Sequence, residues 1–366
     1  ISEIGMVQTV PDGMAPGSDT ANLSVIGYDP KEYYTGRSPL EALSIGVDMA
    51  PTDVSFRCNL VTLSEEEENY EDKHILDHSS SEISTEDAAV LMETLMQEMR
   101  RGGYEFYTGT SYRHLLIHKF GSVVELTAPH DILTKRIGEY LPQDAVLREM
   151  METSYRILSN HPLNLERKAK GLNPANSVWF WGAGTRPMLT SFEEKYHKKG
   201  AMISAVDLLK GIAVGAGLDN IIVEGANGGL HTNYAGKAEA AVDALAAQDY
   251  DFVYVHIEAP DEMGHQGSIP DKIKAIENID QKIIGPIVGE LEDLCMDFRT
   301  LVLPDHPTPI CVRTHTGNPV PYLLYDSRKK AEGMPEYSER LGNKSPLFEK
   351  EGHRLLSRLF EMDNER

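Results

Sequence analysis

Cysteine is scarce: Cys58, Cys295 and Cys311 are widely spaced and form no CxxC pair. That argues against a disulfide framework and fits three free thiols in a reducing, cytoplasmic setting. No apolar run approaches the length needed to span a bilayer. Positive charge is short as well, with 35 Lys and Arg against 57 Asp and Glu and a formal net charge of −22. Nucleic acid and anionic membranes need a basic surface, so neither is expected as a partner. An anionic small molecule would need a local cluster of Arg, Lys, His or metal to overcome the general field. A signal-peptide pattern is also lacking in these residues. Ile1 rather than Met stands first, so a preceding segment is expected.

What remains is an ordinary globular composition, 41% hydrophobic and 25% charged over 366 residues, enough for one large domain or two. The C-terminal half alternates apolar runs with helical stretches. Ala201–Ala205, Asn220–Val223, Asp251–Ile257, Leu301–Leu303 and Pro321–Tyr325 read as strands. Asp251–Ile257 is nearly continuous, as in a strand buried on both faces. Val206–Ala216, Ala235–Ala247 and Asp271–Leu294 read as helices, the last broken near Gly285 and Pro286. This predicts an α/β domain with a mostly parallel sheet flanked by helices. The middle differs. Strands at Arg57–Leu63 and within Tyr104–Lys119 enclose an acidic loop, Glu65–Glu68, and a helix from about Ser84 to Arg101. Ser84 and Asp87 begin that helix; Gly102 and Gly103 end it. A second helix covers Ala145–Ser159. These predict a smaller inserted α+β domain over residues 50–170, with 1–49 and 171–366 forming the larger one.

Three clusters of metal-ligating residue types lie beside strands. Asp261 and His265 follow the strand 251–257, Asp305 and His306 follow 301–303, and Arg313-Thr314-His315-Thr316 precedes 321–325. Open α/β sheets hold ligands at the carboxyl ends of strands, where the first two clusters are placed. Asp with His suits Mn²⁺, Zn²⁺ or Fe²⁺. Any one Asp-His pair is more often a capped turn; three at comparable positions favour metal. Ser18, in Pro16-Gly17-Ser18-Asp19, stands near a helix start. By itself it reads as an N-cap; beside a metal it could be a nucleophile.

Read in order, GSDTANLS, DEMGH, LPDHPTP and THTGNPVPYLLY resemble the motif series of the cofactor-independent phosphoglycerate mutases, in the archaeal-type branch of the alkaline-phosphatase superfamily. YDPKEYYTGRSPLEALSIGVD, RCNLVT, HPLNLERKAKGLNPANSVWFWG, ISAVDLLKGI and TNYAGKA extend the resemblance over nearly the whole chain. It implies an isomerase of glycolysis and gluconeogenesis, interconverting 2- and 3-phosphoglycerate through a phosphoserine at Ser18. It implies two divalent ions, manganese first, with zinc, magnesium or cobalt as alternatives. One would sit on Asp261, His265 and His315. The other would sit on Ser18, Asp305, His306 and a further Asp on a first strand ahead of Ile1. Where the branch carries a phosphate-facing histidine, this chain has Glu82. A related phosphatase or phosphotransferase, or a non-catalytic member of the fold, is therefore the alternative. The substrate would be a small phosphorylated hydroxy acid. Arg113, His114, His130 and Asp131 head the expected contacts, followed by Arg57, Arg186, Lys210 and Lys135, each of which also reads as a surface charge. Trp179 and Trp181 are assigned to packing at the domain junction or to a cleft wall.

Overall fold

A computed structural model describes residues 2–329 and 336–361. The chain divides into a larger unit, Ile1–Tyr34 with Met188–Arg366, and a smaller one, Thr35–Pro187.

The larger unit opens with β1 (Ser2–Val7) and α1 (Ser18–Val25). The sequence pattern did not mark β1. It pairs antiparallel with one neighbour and parallel with another, so it is an interior strand of its sheet.

The smaller unit begins with α2 (Arg37–Ser44), whose Ser38, Pro39, Leu40, Ala42 and Leu43 are buried. Its central strand, β2 (Val54–Leu63), is buried at every position. β3 (Ile75–Asp77), β4 (Tyr104–Tyr107), β5 (Arg113–His118) and β6 (Ser177–Thr185) complete an antiparallel sheet ordered β3-β2-β5-β4, with β6 also paired to β2. Two helices cover it. α3 (Thr85–Glu98) is capped by Ser84, which accepts from the Asp87 amide, and buries Ala88, Leu91, Met92 and Leu95. α4 (Ala145–Leu158) is capped by Asp144 and buries Leu147, Met150, Met151 and Leu158. Both patterns are the three-and-four spacing of a helix with one apolar face. The expected boundaries at 49/50 and 170/171 are displaced to 34/35 and 187/188. The physical reason is β6, which pairs with β2 along most of its length, and α2, which packs on it.

The rest of the larger unit contains β7 (Gly200–Ile203), α5 (Asp207–Ala216), β8 (Asp219–Asn220), α6 (Tyr234–Ala247), β9 (Phe252–Val255), α7 (Ala259–Gln266), α8 (Ile269–Ile279), α9 (Gly285–Asp293), β10 (Arg299–Val302), β11 (Val320–Asp326) and β12 (Phe348–Glu349). The α/β class holds, but the pairing is more mixed than the alternation implied. The sheet β8-β7-β9 is parallel; in β10-β11-β1-β12 only β1 and β12 run parallel. β10 and β11 are antiparallel neighbours, so no crossover helix is needed between them, and the segment 303–319 is free to carry site residues.

Three finer expectations change. The strand at Asn220–Val223 ends at Asn220, and Ile222 is 72% exposed because the chain leaves the sheet there. Within β9 only Phe252 is buried; its other residues are half-buried. The break in the long helical region is a π-helical turn, Asp280–Ile284, ahead of Gly285 and Pro286; proline removes an N–H that regular helix would use. The aspartate expected ahead of Ile1 lies outside the described residues.

Candidate active site and metal centre

α1 starts at Ser18, and its N-cap is Gly17, without a side-chain cap. The Ser18 hydroxyl is therefore not spent on the helix. Its Oγ lies 3.0 Å from His306 Nε2. The first-turn amides beside it form a positive end suited to an anion.

The other side chains of ligating type arrive from two places in the chain. Asp261 and His265 stand four residues apart on α7, hence on one face, with His265 Nε2 3.3 Å from Asp261 Oδ2. Asp305, His306 and His315 lie between β10 and β11. The Thr9 hydroxyl donates to the Asp305 carbonyl at 2.5 Å. His315 Nε2 is 3.5 Å from Asp261 Oδ1, and its ring centre is 4.1 Å from that of His306. Asp261, His306 and His315 each offer one ligand atom, all within 4.8 Å of one another. This triad crosses the expected partition, drawing His306 together with residues assigned to the other ion.

The donor set fits a divalent cation. His265 Nδ1 donates to the Arg313 carbonyl at 3.0 Å, which leaves a lone pair on Nε2. His315 hydrogen-bonds the Pro16 backbone, which can only accept. The two Nε2 atoms face each other at 3.0 Å beside a carboxylate, an arrangement that calls for a shared electrophile. Burial pushes the Asp261 carboxyl up, yet hydrogen bonds from His315 and Thr308 hold it down at about 2. Burial disfavours charge on His315, but the Asp261 hydrogen bond and the charges of Asp261 and Asp305 raise it.

Several residues of this region were not singled out from sequence. Lys237 is fully buried on α6 and donates to the His256 carbonyl at 3.1 Å; burial lowers it to about 8. Burial, with Glu262 and Asp261 nearby, lifts Glu258 to about 7. A lysine in an Ala-rich helix reads as solvated, and only its burial distinguishes it. Asn22 and Thr308 are likewise buried.

The expected substrate contacts separate into two groups. In the smaller unit the Arg57 guanidinium stacks 4.3 Å over Trp181, which meets His130 at 5.2 Å; His130 meets His78 at 6.1 Å, His78 meets Tyr112 at 5.8 Å, and Arg113 lies 5.2 Å over Tyr112. Arg57, His130 and exposed Arg113 thus share one aromatic ladder, with exposed Asp131 beside His130. Burial lowers Arg57 to about 10, against the opposing charge of Glu41.

The second group is otherwise engaged. His114 is 2% exposed, its Nδ1 accepts from the Gly109 amide at 3.1 Å, and burial lowers it to about 3. As a neutral buried ring it does not offer the cationic contact expected of it. Arg186 pairs with Asp48 and the Met49 carbonyl, Lys210 with Asp207, and Lys135 donates to the Asp131 carbonyl. Trp179 is buried, with its Nε1 on the Thr127 carbonyl at 2.8 Å, so it packs within the smaller unit. Glu82 is exposed.

The family described as 2,3-bisphosphoglycerate-independent phosphoglycerate mutase matches residues 1–164. A protein of that name from Methanosarcina barkeri is 49% identical over 350 residues, covering 93% of this chain and 86% of that protein. Among solved structures, one of a Pyrococcus horikoshii protein is similar with a TM-score of 0.79 at 29% identity, covering 99% of this chain and 87% of that one. A structure described as a cofactor-independent phosphoglycerate mutase from Thermoplasma acidophilum gives 0.62 at 26%, covering 98% and 88%. The fold is a mixed α/β one shared with these solved structures. This chain belongs to the 2,3-bisphosphoglycerate-independent phosphoglycerate mutase family.

Proposed function

We propose that this chain interconverts 2- and 3-phosphoglycerate by way of a phosphoserine at Ser18, as a cytoplasmic step of glycolysis and gluconeogenesis. One observation carries the assignment of the nucleophile. Ser18 Oγ is uncapped at the start of α1 and lies 3.0 Å from His306 Nε2, in the cluster that includes Asp261 and His315.

Ser18 Oγ attacks the substrate phosphorus. The Oγ–P bond forms as the bond from phosphorus to the glycerate oxygen breaks, and the proton released by the Ser18 hydroxyl is taken up by the departing oxygen. The other glycerate hydroxyl then attacks the phosphoserine, loses its proton and returns Ser18 to its starting state. The first-turn amides of α1 favour the developing negative charge. Asp261, His265 and His315 would hold one divalent ion and Ser18, Asp305 and His306 a second, manganese first, with zinc, magnesium or cobalt as alternatives. Such ions supply charge neutralisation and a lowered pKa for the serine hydroxyl. Arg57, Arg113, His130 and Asp131 are the proposed contacts for the substrate's anionic and hydroxyl groups. Water in place of the second hydroxyl would make the same chemistry a phosphatase, and Glu82 is the feature that favours that reading.

The test is an enolase-coupled assay on full-length protein with 3-phosphoglycerate, beside mass spectrometry of the Ser18 peptide after quenching. Turnover with phosphate on Ser18, both lost in Ser18→Ala, is the expected result. Full turnover in Ser18→Ala would eliminate the covalent route.

A further inference from the structure

Asn22 stands one turn beyond Ser18 on α1 and is fully buried. Its side chain makes three hydrogen bonds. Nδ2 donates to the Ser18 carbonyl at 2.8 Å and to Asp305 Oδ2 at 2.9 Å, while Oδ1 accepts from the Tyr254 hydroxyl at 2.5 Å. The chemistry of the partners fixes which end of the amide faces which. A carbonyl and a carboxylate can only accept, so the nitrogen must face both. The oxygen then faces Tyr254, whose phenol is kept protonated by burial. Both amide hydrogens are thereby used, one on the backbone of Ser18 and one on Asp305.

The same carboxylate is fixed at its other oxygen, where Oδ1 accepts from the His306 amide at 2.9 Å. The Thr9 hydroxyl holds the Asp305 carbonyl. Tyr254 comes from β9, Asn22 from α1, and Asp305 from the connection after β10. One buried amide therefore ties three separate elements together at the residue expected to react. An asparagine whose donors both meet obligate acceptors has one stable orientation. Leaving a buried amide unpaired is costly, which keeps alternatives sparsely populated.

We propose that Asn22, held by Tyr254, is a positioning residue for phosphoryl transfer: it sets the Ser18 backbone against the Asp305 carboxylate and so aims the Ser18 hydroxyl. It contacts the backbone of Ser18 rather than its hydroxyl, and its role is exerted through Ser18 and Asp305. The inference rests on the reading of Ser18 as nucleophile.

The experiment compares Asn22→Leu and Tyr254→Phe with the parent full-length protein. Leucine keeps the volume and removes all three hydrogen bonds; phenylalanine keeps the ring and removes one. The expected result for Asn22→Leu is a fall in kcat of about 10- to 100-fold with KM within about two-fold, the range for second contacts behind a metal site. Single-turnover phosphorylation of Ser18 should slow by the same factor. Calorimetric titration with Mn²⁺ alone should show weaker binding, since the Asp305 carboxylate is no longer held. Tyr254→Phe should move each quantity in the same direction by less. A folded Asn22→Leu that keeps kcat and Mn²⁺ affinity within two-fold overturns the proposal, as does a rise in KM at constant kcat. If Asn22→Leu does not fold, Tyr254→Phe decides, and unchanged kcat in that variant is the overturning result. Activity in Ser18→Ala would instead defeat the underlying nucleophile assignment.

Discussion

The Nε2 atoms of His265 and His315 face each other at 3.0 Å, with the far side of the His265 ring held by the Arg313 carbonyl. Asp261 lies against both, at 3.3 and 3.5 Å. Two imidazole lone pairs and a carboxylate at one point compete for whatever cation is present, a proton or a metal ion.

That competition gives a pH dependence with a definite sign. Asp261 raises His315, so in the metal-free protein His315 holds its proton to a higher pH than a free imidazole. Metal must displace that proton. Mn²⁺ affinity should therefore fall by up to about ten-fold per pH unit below the His315 pKa and level off above it. Calorimetric titrations at about pH 5.5 and 7.5, either side of the ordinary imidazole value, measure it. Equal affinity at both would show that His315 is not a ligand.

Arg57 is buried in the smaller unit, stacked on Trp181 and paired with Glu41 at 2.8 Å. Lysine keeps the charge and loses the planar fork. Arg57→Lys should raise KM for phosphoglycerate about ten-fold, with a smaller change in kcat and in melting temperature. An unchanged KM would remove Arg57 from the substrate contacts.

The residues that cluster here were legible because their types and their places beside strands are written along the chain. Asp261, His265, Asp305, His306 and His315 needed only order and spacing. Whether Ser18 was an N-cap or a reactive group was not legible, because that depends on whether Gly17 or Ser18 ends the helix. Cations were read least well. Arg186, Lys210 and Lys135 look like Arg57 and Arg113 in sequence, and nothing local reveals that Asp48, Asp207 or the Asp131 carbonyl engages them. Lys237 and Asn22 escaped for the opposite reason: their meaning lies in burial, which a polar letter on an Ala-rich or short helix does not convey. The unit boundaries moved because β6 joins a strand more than a hundred residues earlier in the chain.

His114 supplies a second pH dependence, this one of stability. Burial lowers it to about 3, and its Nε2 is buried without a hydrogen-bond partner among the described residues. Unfolding restores an ordinary value of about 6.5, so between the two the unfolded chain binds the extra proton. Its contribution is fully present above about pH 6.5 and is lost as pH falls toward 3. Asn has an oxygen that can take the place of Nδ1 for the Gly109 amide and does not titrate. His114→Asn should flatten the decline in urea-unfolding free energy between about pH 6 and 4. A slope identical to the parent's would mean that His114 is not buried neutral.

Ser80, Ser81 and Glu82 are three consecutive non-glycine residues in the left-handed region, with φ of 52°, 57° and 48°. Each such residue costs about 1–2 kcal/mol relative to a right-handed conformation. What holds the turn is Asp77, which accepts from the Ser79 and Ser81 amides, the Ser79 hydroxyl and Asn173 Nδ2. Burial pushes the Asp77 carboxyl up, but these bonds, Asn173 first, bring it down to about 2. Buried Arg167 adds a hydrogen bond to the Ser80 carbonyl at 2.7 Å. At Ser80 and Ser81 the side chains are hydrogen-bonded, to Leu60 and from Asn173, so glycine there would remove strain and contacts together. Glu82 is exposed, and its backbone can be tested separately. Glycine adopts positive φ freely but loses more entropy on folding, so Glu82→Gly should stabilise by a net of about 0.5–1 kcal/mol. Glu82→His keeps most of the backbone strain and changes only the charge. It should leave the melting temperature nearly unaltered, and it should lower KM for phosphoglycerate if this turn faces the substrate phosphate. The pair therefore separates the two roles of one residue. Stabilisation by glycine with no kinetic effect of histidine would make position 82 a matter of turn geometry alone. A lowered KM in Glu82→His would show that the carboxylate at this position works against the substrate phosphate.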